Sequence, residues 1–161
     1  MKQINILFIL VVMSLAGFAQ QLPHYTQYFF NSYAFNPAVG GTQNTVDVKS
    51  NHRYQWVGLT DAPRTYALTV QGPSKDLKNG FGAFLFTDHV GPTRRTGLQF
   101  SYSHIFNITK DVRLSMGLSG GILEWKLDGQ KINLYSAGDQ VLVNSVMKAI
   151  IPDATFGIHL F

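Results

Sequence analysis

Polar and apolar residues alternate one by one along most of this chain, and only an extended backbone puts such a pattern on two distinct faces. Over residues 46–56 the even positions are Val46, Val48, Ser50, His52, Tyr54 and Trp56, and the odd ones Asp47, Lys49, Asn51, Arg53 and Gln55. Tyr66, Leu68 and Val70 alternate with Thr65, Ala67, Thr69 and Gln71. Leu98, Phe100 and Tyr102 alternate with Gly97, Gln99, Ser101 and Ser103. The pattern returns in Val112, Leu114, Met116 and Leu118, and again in Phe156, Ile158 and Leu160. Residues 80–87 are less regular, with Phe84 and Phe86 on one face. Reversal signals separate these runs: Gly72-Pro73-Ser74, Asn79-Gly80, Gly91-Pro92 and residues 107–111. The expected fold is therefore all-β, an antiparallel meander of about six strands.

Two media produce this alternation. A soluble sandwich or barrel turns its apolar face inward, whereas an outer-membrane β-barrel turns it to lipid and lines its lumen with small or polar residues. Runs of about 9–13 residues match a tilted crossing of the hydrocarbon layer. Aromatic residues near strand ends (Tyr54, Trp56, Tyr66, Phe106, Trp125, Phe161) suit interfacial girdles. Only 14% of the residues are charged, against about 25% in an average soluble domain. The membrane reading is favoured, with Tyr66, Leu68, Val70, Phe84 and Phe86 facing lipid. Six strands are fewer than the roughly eight of the smallest single-chain bacterial barrels, so the barrel is expected to be incomplete. It would be completed by further chain beyond Phe161 or by assembly of copies.

The first residues form an export signal. Lys2 precedes an apolar stretch over residues 4–13, and Gly17 and Ala19 stand three and one before a cut ahead of Gln20. The expected organisation is a signal peptide at 1–19, an N-terminal periplasmic or plug segment at 20–45, and barrel strands over 46–161. The chain contains no cysteine, which excludes disulfides and cysteine-ligated metals.

Catalytic chemistry needs converging groups, and none are evident. Glu124 is the only glutamate, the aspartates fall mainly at turns, and the five histidines lack ligand spacing. No catalytic residue, metal site or cofactor is expected. Basic residues sit in or beside connections without interleaved stacking aromatics, which argues against nucleic acid. Arg94 and Arg95 could meet anionic lipopolysaccharide head groups. Asp47, Arg53 and Gln55 are expected to form a polar lumen network, and Asp88, Gly91 and Pro92 a turn with a tip available for recognition.

The stretch Leu22-Pro23-His24-Tyr25-Thr26-Gln27-Tyr28-Phe29-Phe30-Asn31, followed by Phe35-Asn36-Pro37-Ala38-Val39-Gly40-Gly41, resembles the start of the PorP/SprF family of type IX secretion outer-membrane proteins. The likeness continues through Arg53-Tyr54-Gln55-Trp56, Asp61-Ala62-Pro63-Arg64-Thr65, Gly80 and Gly82, Asp88, Gly91-Pro92 and Pro152-Asp153. Family members are about twice this length. The resemblance implies a non-enzymatic outer-membrane component that assists secretion or surface anchoring of a partner, such as an adhesin, together with other secretion subunits. Tyr25, Tyr28, Phe29, Phe30, Asn31, Asn36 and Pro37 are the candidate partner-binding residues. Their simpler role is to plug the periplasmic end of the lumen. Two other readings stay open: a passive outer-membrane pore, and a soluble secreted β-barrel that binds an apolar ligand.

Overall fold

A computed structural model describes residues 30–129 and 146–161. The expected signal peptide, and Tyr25, Tyr28 and Phe29 with it, lie outside the described residues. Six strands form one sheet in the order β1-β2-β3-β4-β5-β6, each antiparallel to the next. They are β1 Asp47–Tyr54, β2 Arg64–Pro73, β3 Asn79–Val90, β4 Thr93–Asn107, β5 Arg113–Asp128 and β6 Val146–Leu160. Among the described residues the sheet is not closed, and β1 and β6 are its edges. Two short 3-10 turns, Ser32–Ala34 and Pro37–Val39, precede β1. No helix among the described residues is long and apolar enough to cross a membrane, which says nothing about crossing by strands.

Burial follows the alternation with inverted polarity. The apolar face is exposed, Phe100 at 62% and Leu118 at 60%, together with Val48, Leu68, Phe81 and Ile158. The covered face holds Thr65, Thr69, Gln71, Ser101, Ser103, Ser115 and Ser119, all buried. A sheet that met water would carry its polar residues on the exposed face. Here the outward residues of β4 are Leu98, Phe100, Tyr102, His104 and Phe106, about 27 Å along the strand at ~3.4 Å per residue. With a tilt of about 40° this projects to roughly 20 Å, close to the apolar band of a membrane barrel.

One strand departs from expectation. Phe84 and Phe86 do not face outward with Leu68 and Val70. Phe84 is 7% exposed and packs with Tyr33 and Ala67, while Phe81 and Leu85 take the outward positions. The cause lies in the neighbours: Phe86 pairs with Gly97, which offers no side chain to compete for the inward space, and Phe84 is covered by Tyr33. β6 also begins earlier than its alternating stretch, at Val146. Pro152 is accommodated because β6 is an edge strand with one neighbour.

Candidate functional site

Residues 31–41 lie across the inward face of the sheet and touch every strand. The contact is made of small residues that share register. Gly80 pairs with Ser103, Ser103 with Gly117, and Gly117 with Gly157, forming one row over β3 to β6. A Cβ on Gly117 would lie 2.5 Å from the Ala38 nitrogen and 2.6 Å from the Pro37 carbonyl carbon. Only glycine lets the two backbones approach this closely.

Polar side chains fix the segment over this seat. The Asn31 amide donates to Asn51 Oδ1 of β1 (3.1 Å) and its oxygen accepts from Thr69 Oγ1 of β2 (3.2 Å). Tyr33 Oη and Ser101 Oγ of β4 are 2.6 Å apart, and Ser103 Oγ donates to the Gly40 carbonyl. Asn36 has two tasks. Its Oδ1 accepts from the Ala38 backbone (3.0 Å) and caps the second 3-10 turn, where Pro37 supplies the fixed φ of a first helical position. Its Nδ2 donates to the Ile158 carbonyl of β6 (2.9 Å). Ala38 is fully buried. Burial pushes the Tyr33 phenol above its ordinary value, with the Ser101 hydrogen bond a smaller opposing effect, so the hydroxyl is neutral at physiological pH. Tyr33→Phe is expected to cost about 1 kcal/mol, read as a lower denaturant midpoint of the folded chain, since one hydrogen bond is lost while the ring contact with Phe84 is kept.

The expected site residues divide by place. Asn31, Asn36 and Pro37 fasten the segment to the seat, whereas Phe30 is 72% exposed. Tyr33 and Ala38, not singled out from the sequence, carry the buried contact. A stretch with so many aromatics gives no local signal for which one turns inward. Asp47, Arg53 and Gln55 do not converge. Asp47 accepts from Lys49 Nζ (2.6 Å) and Gln71 Nε2 (3.2 Å) at the start of β1. Arg53 stands six residues along, about 20 Å away at the strand rise, in a row with Thr65, Asp88 and Arg95. Gln55 follows β1, where its backbone N–H donates to the Pro63 carbonyl. Asp88 Oδ1 accepts from Thr65 Oγ1 at 2.6 Å. Gly91, at φ +56°, and Pro92 make the two-residue link between β3 and β4, and the Gly91 N–H reaches the Asp61 carbonyl.

Between the segment and the strands lies a cavity of about 440 Å³, lined by Tyr33, Phe86, Arg95, Gln99, Trp125 and Asp153 among others. Gln99 Nε2 donates to Asp153 Oδ2 at 2.6 Å across it. Among the described residues no three His, Asp or Glu side chains are grouped to hold a metal ion. The family model described as type IX secretion system membrane protein PorP/SprF matches residues 17–161. No curated protein and no solved structure matches the chain.

Proposed function

The chain belongs to the PorP/SprF family of type IX secretion system membrane proteins, and from that premise we propose that it is a non-enzymatic outer-membrane anchor of that system. The single observation carrying the placement is the inverted burial of the sheet, with apolar side chains outside and Thr69, Ser103 and Ser115 fully buried within. Lipid suits that outer face, and a lumen lined with small and polar residues suits the inner one.

The connections orient the wall. The links 74–78 and 108–112, five residues each, turn the chain at the end where the N-terminal segment docks; at the other end the 91–92 link is shorter, while 55–63 and the interval between the end of β5 and the start of β6 are longer. The longer connections of such barrels face outward, and the two longest intervals at the opposite end support a periplasmic mouth for residues 30–41. There Phe30, exposed, and Phe35, partly exposed at the edge of the cavity, are the surface available to other secretion subunits or to a secreted protein such as an adhesin, while Tyr33 and Ala38 hold the segment in place. A passive pore is the less favoured reading, because the segment crosses the lumen wall from β1 to β6.

Fractionation tests the placement. The chain is expected in the outer-membrane fraction and to resist extraction by high salt. Recovery in the soluble periplasm would overturn the anchor and favour the carrier of apolar ligands. Phe30→Ser with Phe35→Ser is expected to abolish co-purification of secretion subunits with membrane insertion intact. Undiminished co-purification would remove this surface from the mechanism.

A further inference from the structure

At the rim opposite the N-terminal segment, five basic residues stand in one register row. Arg64 pairs with His89, His89 with Arg94, Arg94 with Lys126, and Lys126 with Lys148, so the row runs unbroken from β2 to β6. By strand parity all five are on the outward face, the face that carries Leu68, Leu85, Leu98 and Ile122 two rows nearer the middle. Arg95 is on the other face and lines the cavity.

Like charges placed directly opposite one another weaken a sheet, and here Arg94 faces Lys126 and Lys126 faces Lys148. Glu124, one row nearer the middle, binds Lys148 Nζ at 2.9 Å, and Asp128 lies one row beyond. With Asp61 of the 55–63 link also at this end, three carboxylates against four permanent cations and a histidine leave the rim positive. Tyr54 and Tyr66 join their hydroxyls at 2.8 Å at the same height, and the Arg64 guanidinium lies 5.9 Å from the Tyr54 ring centroid. Tyrosine beside a basic row is the composition of a membrane–water interface.

We propose that this row is a binding site for a lipid headgroup carrying more than one phosphate, seated at the boundary of the apolar band. Four strand spacings of about 4.8 Å make the row roughly 19 Å wide, more than one phosphate can engage. Arginine supplies paired donors and the lysines point charges, both suited to phosphate oxygens. The headgroup neutralises the opposed cations while its acyl chains lie along Leu68, Leu98 and Ile122. This inference rests on the bilayer placement proposed above, which its test scores separately.

The full chain is reconstituted into phosphatidylcholine vesicles doped with diphosphoryl lipid A or, separately, with phosphatidylglycerol. Flotation scores insertion, and the lipid retained per chain after detergent extraction scores binding. Lipid A is expected to be enriched over phosphatidylcholine, and Arg94→Gln with Lys126→Gln to lower that enrichment roughly tenfold to thirtyfold. Lys78→Gln with Lys110→Gln, at the opposite rim, is expected to leave it unchanged. The site is overturned if both pairs behave alike, or if phosphatidylglycerol is enriched equally. A chain that floats without enrichment defeats this site alone; one that does not float defeats it together with the anchor. Should the Arg94 and Lys126 variant fail to insert, the unaltered chain decides: enrichment that persists from about 0.05 to 0.5 M salt overturns the site.

Discussion

Gly117→Val is expected to release residues 31–41 from the sheet and to speed their cleavage by added protease roughly 100-fold. The atoms in the way are backbone: the Ala38 nitrogen and the Pro37 carbonyl carbon. Neither can rotate aside as a side chain would, so the segment must lift. Lifting exposes Ala38 and strains or breaks the Asn36 and Tyr33 hydrogen bonds, and about 3 kcal/mol is a reasonable sum for such overpacking. Gly120→Val is the matched control, on the same strand but on the outward face with nothing within 4 Å of the added carbon. Its cleavage rate is expected to stay at the level of the unaltered chain. Equal cleavage of the two variants would mean that the segment does not sit on Gly117.

The second large effect concerns the medium outside the sheet. Phe100→Arg is expected to destabilise the chain in a bilayer by about 2–4 kcal/mol, because Phe100 lies near the middle of the apolar band. Its register neighbours are Ala83 and Gly120, which leave room for the longer side chain, so the cost comes from lipid and not from a clash. If the outward face met water, the same substitution at a residue 62% exposed would change stability by about 0.5 kcal/mol or less. The denaturant midpoint in phosphatidylcholine bilayers separates the two cases.

Much of this wall could be read from the chain directly, because in β1, β2 and β4 each residue reports its own face. Phe84 and Phe86 could not be placed that way. Hydrophobicity assigns them to lipid, and only the glycine at 97 and the tyrosine at 33, far along the chain in opposite directions, draw them inward. The start of β6 was hidden for a different reason: Ile150 and Ile151 are adjacent and both exposed, so no alternation marks residues 146–152 as a strand. The glycine and serine seat is a property of register. Gly80, Ser103, Gly117 and Gly157 look like unrelated small residues until strand pairing puts them in line. The basic rim has the same origin, which is why Arg94 and Arg95, adjacent in sequence, serve opposite faces.

Asn36 reaches the Ile158 carbonyl across 122 residues of chain, and that span imposes an order on biogenesis. Each hairpin of the meander can close as soon as its two strands exist, since every pairing is between consecutive strands. The N-terminal segment has no such freedom, because Gly157 and Ile158 belong to the last strand of the row. A segment that precedes every strand in the sequence is therefore secured only with the sixth, and until β6 is paired the seat lacks one of its walls. During that interval Asn36, Pro37 and Ala38 remain open to whatever chaperone or assembly factor meets the emerging chain, and docking of the segment marks the moment when all six strands are in place.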